Sequence, residues 1–456
     1  MKNKNRIYSG ADPDQIAADL APLLDLQDKG MPLDQLAGLI ESCLIPHFVR
    51  YDLPEFHSLF NFFPEEGAAL GAGIALKYNQ GVTNWQVSPG GVMLEELCCK
   101  ALCRLYGLTQ SADATFMYSG TYANQEALFL AIHRKAEQCG FDFCKLGLSG
   151  FENPERLAVI TSREAHFSID HAVRMLGLGE QSIITLNVDK NRRIDVEEMK
   201  NTLASVQKTH DVFCAVITAG TTCTGSVDPV RPVIDICNDK STWIHVDAAY
   251  GLAYSLIPEY RHLFNGIDKA DSITWDPHKQ FGVPIPSSIL FVNNGEDFNR
   301  ISVFGDYFNR KDDDVPNPGL KSPPSTRPLT ALSLVTTLRH LGMNSMIERL
   351  SVPLTAIKNL AKRLEKESDI EVMHKPDLGI LCIRIVPERF PSSSLDQLQL
   401  YIYNRVMQEG KRAVSTSRID GKAVLRILSL SPNISYEILL ETVYYLRALA
   451  EDYEKK

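Results

Sequence analysis

The chain has 456 residues, of which 44% are hydrophobic and 23% are charged, values typical of a soluble globular protein. At this length we expect two or three packed lobes rather than one small core. The formal net charge of −9 argues against a nucleic-acid-binding protein, which would carry a basic surplus.

Targeting signals and metal motifs are both absent from the sequence pattern. The N-terminal residues are polar, and no window approaches the roughly 18 apolar residues of a membrane span. The ten cysteines form no CxxC pair, which predicts buried free thiols rather than a disulfide framework or a zinc site. We therefore expect a cytoplasmic protein without a bound metal.

The first predicted elements are helices broken by loops, and we assign residues 1–84 to an N-terminal helical segment. Apolar residues at helical spacing predict helices in DPDQIAADLAPLLDLQ and MPLDQLAGLIESCLIPHF. A third and strongly amphipathic helix, VMLEELCCKALCRLYGL, follows this segment.

The middle of the chain alternates between predicted strands and helices, and we assign residues 85–344 to one large domain. The predicted strands are LAVITS, SIITLNV, VFCAVITAG, TWIHVDAA, DSITWD and SSILFVN. The helical patterns are NQEALFLAIHRKAEQ, SIDHAVRMLGL, DVEEMKNTLASVQK and VRPVIDICND. Such alternation predicts an α/β fold with a mostly parallel sheet and helices on both faces. Ligands of these sheets bind beyond the carboxyl ends of the strands.

The end of the chain differs in pattern from the middle. Residues 311–328, rich in Asp, Pro and Ser, predict a mobile loop that is followed by two long helices. Residues 345–456 then alternate between strands (LGILCIRIV, AVLRILSL) and helices, which predicts a small C-terminal α+β domain.

Two of the predicted strand ends deliver charged side chains. TWIHVDAAYG places Asp247 at the end of a buried strand, where a carboxylate needs a partner such as a protonated pyridine nitrogen. The alternative is a structural Asp that caps the next helix. DSITWDPHKQFG then delivers His278 and Lys279, and a shielded lysine at a strand end can form an imine. Its alternative, a solvated loop lysine, is disfavoured by the pairing with Asp247.

Three further segments, two of which follow predicted strands, carry small or polar residues. In MYSGTYANQEALFLAIHR, Gly120 and Thr121 stand where a loop turns into a helix, a place suited to phosphate, although Ser119 there is also an ordinary N-cap. His166 follows LAVITS and could stack on a planar ring, or simply begin a helix. Thr222 follows VFCAVITAG and could supply a hydroxyl.

The ordered motifs SGTYAN, EAH, GTT, HVDAAYG and DPHK resemble those of the group II pyridoxal-phosphate (PLP)-dependent amino-acid decarboxylases. This family includes the aromatic-amino-acid, glutamate, cysteine-sulfinate and diaminobutyrate enzymes. The resemblance runs from about Pro54 to about Arg426, and HVDAAYG with a downstream PHK is its most specific part. It implies PLP as cofactor, the aspartate-aminotransferase-like type I fold, and a homodimer with active sites at the subunit interface.

The resemblance also implies roles for single residues. Lys279 matches the lysine that forms an imine with PLP, Asp247 the partner of the pyridine nitrogen, and His166 the stacking histidine. The remaining matches to cofactor-binding positions are Gly120 and Thr121 for the phosphate, Thr222 for a polar contact, Ala249 for packing on the ring, and Asp276 and His278 beside the lysine. Many family members have Asn where this chain has Asp276, so a second carboxylate is expected near Asp247 and the phosphate.

The substrate-binding positions are more weakly indicated. Arg426 in VLRILSLSP matches an arginine that pairs with the substrate α-carboxylate, and its alternative is a surface arginine on an edge strand. Phe63 lies in SLFNFFPEEG, which resembles a pocket-lining segment but is also compatible with plain core. Tyr307 stands near the family's mobile-loop tyrosine, which returns a proton to Cα; His278 is the alternative donor.

We therefore predict decarboxylation of an L-amino acid to an amine and CO2. Two alternatives remain open at this point. One is another outcome on the same cofactor, either transamination or aldehyde formation. The other is a catalytically silent PLP-fold protein that serves as a binding partner.

Overall fold

The computed structural model describes residues 6–26, 28–237, 241–305, 309–310, 314–324 and 326–455. By internal contacts the chain divides into two compact units. One comprises residues 64–351 with residues 376–378, and the other comprises residues 1–63, 352–375 and 379–456. The domain boundaries that we predicted from the sequence, at residues 84 and 344, remain predictions.

The unit of residues 64–351 contains a seven-stranded sheet in the order β1-β7-β6-β5-β4-β2-β3. Its strands are β1 (Asp113–Met117), β2 (Leu157–Ser162), β3 (Ile183–Leu186), β4 (Asp211–Thr218), β5 (Trp243–Asp247), β6 (Ser272–Trp275) and β7 (Ser288–Val292). Strands β2 to β6 run parallel, whereas β7 is antiparallel to both β1 and β6. The predicted α/β class with a mostly parallel sheet is confirmed.

Strand β1 was not predicted, although all six predicted strands of this domain are present. Its five residues, DATFM, contain a single β-branched side chain and lack the apolar run that marks β4 or β5. The strand forms because β7 supplies a full antiparallel ladder along it, from Asp113 opposite Val292 to Met117 opposite Ser288. Tertiary pairing rather than local propensity therefore decides its conformation.

The helices of this unit cover the sheet. They are α3 (Glu66–Tyr78), α4 (Pro89–Leu105), α5 (Gly120–Gln138), α6 (Phe143–Leu146), α7 (Ser168–Met175), α8 (Val196–Val206), α9 (Val230–Ile236) and α10 (Pro277–Gln280). Helix α5 packs across β4 to β7, and its buried residues share one apolar core with residues of α7, β4, β5 and β7. Its first turn is thereby fixed beside the carboxyl ends of the strands.

The other unit has a four-stranded antiparallel sheet in the order β10-β11-β9-β8. Its strands are β8 (Ile370–Val372), β9 (Ile380–Ile385), β10 (Ser415–Ile419) and β11 (Lys422–Leu428). Its complete helices are α1 (Pro13–Leu20), α2 (Leu33–Cys43), α12 (Leu395–Glu409) and α13 (Tyr436–Glu451), of which the last two pack on the sheet in one apolar core. The predicted small α+β layer is confirmed, while β8 and β10 were not predicted.

Helix α11 (Ala331–Leu364) is the pair of long helices expected from the sequence. Gly342 separates the two, with a φ of +70° that a residue with a side chain rarely adopts. The helix continues through Pro353.

The described cysteines are free thiols, as predicted, and Cys98, Cys99 and Cys103 are buried. The expectation of buried thiols is wrong for Cys139 and Cys144, which are exposed. None of the helices in the described ranges combines the length and the apolar character that a membrane crossing needs.

Candidate active site

The predicted cofactor residues of the larger unit lie after strands whose carboxyl ends share one edge of the sheet. Strands β1 and β6 are both antiparallel to β7, so they point in the same direction as β2, β4 and β5. Asp247 ends β5, and each of the other four strands is followed within a few residues by Gly120, His166, Thr222 or Lys279. The sheet topology thus brings residues up to 159 positions apart in sequence to one edge of the sheet.

Asp247 is the last residue of β5 and is buried, with 6% of its surface exposed. Its Oδ1 accepts a hydrogen bond from the backbone N–H of Ala249 (3.1 Å), and its Oδ2 accepts one from Nδ2 of Asn124 (2.8 Å). The strand end therefore presents an oriented, hydrogen-bonded carboxylate.

Lys279 lies in α10, directly after β6, and its Nζ is 2.9 Å from Oδ2 of Asp276. Both side chains are largely shielded, with 19% and 4% of their surfaces exposed, respectively. The second carboxylate that the sequence placed here is thus balanced by the lysine itself. Oδ1 of Asp276 is buried and accepts no hydrogen bond from any described residue.

Gly120 begins helix α5 immediately beside Asp276. A Cβ at Gly120 would lie 2.8 Å from Oδ2 and 3.0 Å from Oδ1 of Asp276, so only glycine fits without a shift. Ser119 caps the helix through a hydrogen bond that its Oγ accepts from the N–H of Tyr122 (3.3 Å). The first N–H groups of a helix have no partner within it and favour an anion.

His278 points one ring nitrogen away from the lysine. Its Nδ1 donates to the carbonyl oxygen of Ser287 (2.6 Å), and its Nε2 lies 3.8 Å from Oδ2 of Asp276. Burial lowers the pKa of His278 below its ordinary value, with Asp276 opposing. In the neutral ring Nε2 then carries a lone pair, so His278 accepts a proton there before it can deliver one.

His166 lies in the loop between β2 and α7 and is half-buried. Its Nδ1 accepts a hydrogen bond from the backbone N–H of Ser168 (3.2 Å), so the neutral ring carries its proton on Nε2. Burial lowers the pKa of His166, and Asp247 opposes this effect, while Lys279 adds to it.

The other predicted cofactor residues in this unit occupy different environments. Ala249 is buried two residues beyond Asp247. Thr121 is half-buried in the first turn of α5, and Thr222 is exposed in the loop after β4.

Asn124 is a functional candidate that the sequence analysis missed. It is the last residue of the SGTYAN motif, four positions and about one helical turn after Gly120, which places both on one face of α5. Its amide contacts Asp247 as described above and also His245, whose Nε2 lies 2.9 Å from Oδ1 of Asn124. The four-residue spacing between Gly120 and Asn124, which is close to one helical turn, is the feature of the sequence that could have identified Asn124.

Arg327 organises the segment that leads from the predicted loop into α11. Its Nη1 donates to the carbonyl oxygen of Pro318 (2.6 Å), and its Nη2 donates to Oγ1 of Thr115 in β1 (3.0 Å). It also forms a buried ion pair with Glu95 of α4. No pattern in the sequence indicated this network. Tyr307, the predicted proton donor, lies outside the described residues.

Arg426 and Phe63 belong to the other compact unit and are described within it. Arg426 lies on β11, is 5% exposed, and donates from Nη1 to the carbonyl oxygen of Ser58 (2.8 Å) and to Oγ of Ser415 (3.0 Å). Its guanidinium carbon lies 5.0 Å from the centroid of the Phe60 ring. The alternative of a surface arginine is therefore wrong. Phe63 is 63% exposed and is not a plain core residue.

The larger unit contains the functional groups that binding of PLP requires. Asp247 is a buried carboxylate suited to a pyridine nitrogen, and Lys279 is a shielded primary amine. Gly120 lets α5 begin directly against Asp276, where a Cβ would collide with the carboxylate. The buried Oδ1 of Asp276 additionally leaves one acceptor to be satisfied. These residues fit a planar cofactor that carries an aldehyde, a pyridine nitrogen and a phosphate.

Comparison with known proteins agrees with this fit. The model of the pyridoxal-dependent decarboxylase conserved domain matches residues 15–386. An L-2,4-diaminobutyrate decarboxylase of Rhizobium meliloti (strain 1021) is 30% identical over 365 residues, which cover 79% of this chain and 70% of that protein. Its counterpart in Acinetobacter baumannii is 28% identical over 386 residues, covering 82% and 75%, respectively.

Solved structures show the same fold. The crystal structure of mouse CSAD superposes with a TM-score of 0.89 at 24% identity and covers 98% of this chain and 94% of that chain. The glutamate decarboxylase domain of a Vibrio parahaemolyticus protein superposes with a TM-score of 0.88 at 23% identity, covering 99% and 92%.

The chain therefore belongs to the pyridoxal-dependent decarboxylase family and is a PLP-dependent amino-acid decarboxylase, a carboxy-lyase. The type I fold, the cofactor and the reaction class that the motif order implied are confirmed.

Proposed function

We propose that Lys279 and Asp247 carry the decarboxylation of an L-amino acid to its amine and CO2. The supporting observation is their placement at the ends of adjacent parallel strands: Asp247 ends β5 and pairs in register with Thr274 of β6, and Lys279 follows five residues after Thr274, in α10. When bound, PLP supplies the electron sink for the electron pair left on Cα when CO2 departs. Asp247 holds the pyridine nitrogen protonated, and Lys279 holds the cofactor before substrate arrives.

The surrounding residues position the cofactor in this proposal. The first turn of α5, with Gly120 and Thr121, binds the phosphate through backbone N–H groups and the helix dipole. His166 supports one ring face, Ala249 packs on the other, and Thr222 contributes a hydroxyl. Asp276 and His278 flank the lysine. These roles are compatible with the burial and hydrogen bonds described above.

Arg426 is the proposed partner of the substrate α-carboxylate. Its guanidinium is already oriented by Ser58 and Ser415, and an oriented guanidinium can bind a carboxylate through two N–H groups. Such a contact would hold the Cα–CO2 bond in the orientation that favours cleavage. Phe63 is the proposed pocket-lining residue.

The proposed product is an amine rather than an aldehyde. We assign the return of a proton to Cα to Tyr307, with His278 as the alternative donor once its Nε2 is protonated. Assays of CO2, amine and aldehyde on the same sample test this assignment. Aldehyde formed without amine would contradict it and favour the aldehyde-forming alternative.

We further propose a cytoplasmic homodimer with active sites at the subunit interface. Tyr122 and Phe167 support the dimer, because each is adjacent in sequence to a proposed cofactor residue and is more than half exposed in the single chain, at 55% and 59%. Large apolar side chains at such positions favour contact with another chain. Sedimentation of the PLP-loaded protein tests this, and a monomer with full activity would contradict it.

The substrate is left to experiment, since the curated relatives are named for diaminobutyrate, aromatic and acidic amino acids. Glu65 and Glu66, which follow Phe63 and Pro64 in the sequence, could favour a substrate with a basic side chain or could simply face water. Glu65 forms an ion pair with Arg349 in the same unit, which weakens its part in that hypothesis. Amine formation measured across a panel of these amino acids distinguishes the three classes.

Lys279→Ala tests the central proposal. The variant should lose the visible absorption band of the PLP-loaded enzyme, the loss of that band on borohydride treatment, and turnover, while circular dichroism shows a folded chain. Lys269→Ala, an exposed lysine on the segment before β6, is the matched control and should retain all three properties. A wild-type protein that stays colourless with added PLP would instead support the silent binding protein.

A further inference from the structure

A continuous chain of buried polar side chains connects Trp243 with Asp247. Nε1 of Trp243 donates to Oγ of Ser272 (2.8 Å), which lies 2.8 Å from Nδ1 of His245. Nε2 of His245 lies 2.9 Å from Oδ1 of Asn124, and Nδ2 of Asn124 lies 2.8 Å from Oδ2 of Asp247. Each of these five residues is at least nine-tenths buried, so the chain is shielded from water.

The ionised carboxylate of Asp247 determines the direction of every hydrogen bond in this chain. A carboxylate only accepts hydrogen bonds, so Asn124 must turn its NH2 group towards Asp247. The second hydrogen of that group is donated to Oγ of Ser168 (2.8 Å). The carbonyl oxygen of Asn124 therefore faces His245, which has to donate from Nε2.

The remaining links follow from the neutral state of His245. Burial lowers the pKa of His245 to about 4, with Asp247 and the backbone at Ser272 opposing. A neutral ring with its proton on Nε2 accepts at Nδ1, so the hydroxyl of Ser272 donates to it. Ser272 still accepts from the indole of Trp243, and every polar group of the chain then has a partner.

We infer that Asn124 is a positioning residue for Asp247 and that His245, as the tautomer with its proton on Nε2, is a positioning residue for Asn124. Without the donor on His245, the buried carbonyl oxygen of Asn124 loses its partner, and the amide is held only through its NH2 group. It can then move away from the carboxylate to satisfy that oxygen, which weakens its contact with Asp247. The inference rests on the proposed role of Asp247 as partner of the pyridine nitrogen.

Variants of Asn124 test the first half of the inference through PLP affinity. Asn124→Ala removes one donor to a buried carboxylate, and Asn124→Asp places a second carboxylate against it. We expect PLP binding to weaken by about 10- to 100-fold in the first variant, the range for hydrogen bonds to charged groups, and further in the second. Ser168→Ala is the matched control, because it removes the other acceptor of the same amide and leaves the contact with Asp247 intact.

Two substitutions of His245 test the second half. His245→Gln keeps an N–H that can reach Asn124 and should retain PLP affinity within about threefold, a change of under 1 kcal/mol. His245→Leu has similar bulk without a donor and should weaken PLP binding as strongly as Asn124→Ala does. Thermal unfolding of the PLP-free proteins identifies any variant that fails to fold. If His245→Leu does not fold, the PLP affinity of His245→Gln still tests whether a donor at this position is sufficient.

Nitrogen-15 NMR of the PLP-free wild-type protein gives a readout that is independent of the cofactor. The histidines are labelled with nitrogen-15, and the signals missing from His245→Gln identify those of His245. At pH 7, Nε2 of His245 should be protonated and Nδ1 should be unprotonated. A proton on Nδ1, or PLP affinity unchanged in Asn124→Ala, would overturn the inference. Failure of the wild-type protein to bind PLP would instead contradict the proposed role of Asp247 and leave the tautomer result standing.

Discussion

Nζ of Lys279 and Oδ2 of Asp276 lie 2.9 Å apart, three residues from each other at the end of β6. Asp276→Asn should be tolerated, because the amide oxygen still accepts from Lys279 and the negative charge beside the proposed phosphate site is removed. We expect the PLP dissociation constant to change by no more than about tenfold, equivalent to ~1.4 kcal/mol. Titration of the visible band with PLP measures it, and loss of binding would show that the carboxylate itself is required.

The same contact predicts an effect on stability. Lys279→Ala leaves the 4%-exposed carboxylate of Asp276 without its cation, at an expected cost of about 1–3 kcal/mol or more. Lys279→Ala combined with Asp276→Asn should recover most of this loss, since no buried charge is then left unpaired. Thermal unfolding of the PLP-free single and double variants makes the comparison, and equal midpoints would contradict the ion pair.

Gly120→Ala should lower PLP affinity by more than about tenfold, the equivalent of ~1.4 kcal/mol. Its Cβ would lie 2.8 Å from Oδ2 of Asp276, which Lys279 holds in place, so the helix start must shift. Gly90→Ala is the matched control, because Gly90 also stands in the first turn of a helix and a Cβ there meets nothing within 4 Å. Equal PLP affinity in the two variants would remove Gly120 from the proposed phosphate site.

Arg426→Lys should raise the KM for substrate by more than about tenfold with little effect on PLP affinity. The ammonium of lysine cannot reproduce the planar pair of donors that binds a carboxylate, a difference worth at least ~1.4 kcal/mol. Arg418→Lys on the neighbouring strand β10, where 61% of the side chain is exposed, serves as the control. A KM that stays unchanged in Arg426→Lys would assign the arginine to structure alone.

Glu126→Gln should change how stability depends on pH. Burial raises the pKa of Glu126 from 4.5 to about 8, with Arg327 opposing, so the folded chain binds a proton that the unfolded chain lacks between these values. Stability therefore falls as pH rises from about 4.5 to about 8, by at most ~1.4 kcal/mol per pH unit for one proton. The Gln side chain cannot ionise, so the stability of the variant relative to the wild type should increase as the pH rises through this window.

Thermal unfolding at pH 6, 7 and 8 measures this difference. Glu137→Gln, an exposed position on the same helix, should show a difference from wild type that does not vary with pH. A constant difference for Glu126→Gln would mean that Glu126 is ionised throughout.

The sequence predicted the functional residues at the strand ends of the larger unit, but it did not predict which strands lie next to one another in the sheet. Asp247 and Lys279 were found because long apolar runs mark β4 to β6 and the chemistry follows directly after each run. Strand β1 was missed because its conformation is imposed by β7, a partner more than 170 residues away. Which strands lie side by side is a property of the sheet and not of the local pattern.

The candidate site shows the same limit at the level of single contacts. The sequence placed Asp276 near Asp247 but could not show that Lys279 balances its charge, since that depends on the turn of α10. Asn124 could have been predicted from the sequence, because its spacing from Gly120 is that of one helical turn. The role of Arg327 could not have been predicted, because its partners Thr115 and Pro318 come from separate parts of the chain.

Strand β7 has a consequence for the order in which this enzyme can be assembled. It is the strand of the described sheet that pairs with both β1 and β6, so β1, which leads into α5, is not joined to the lysine strand through the sheet until β7 is in place. On a ribosome, all five strands that precede the cofactor residues are synthesised before the strand that unites them. A nascent chain that ends before Ser288 should therefore hold no PLP, however complete its list of cofactor residues.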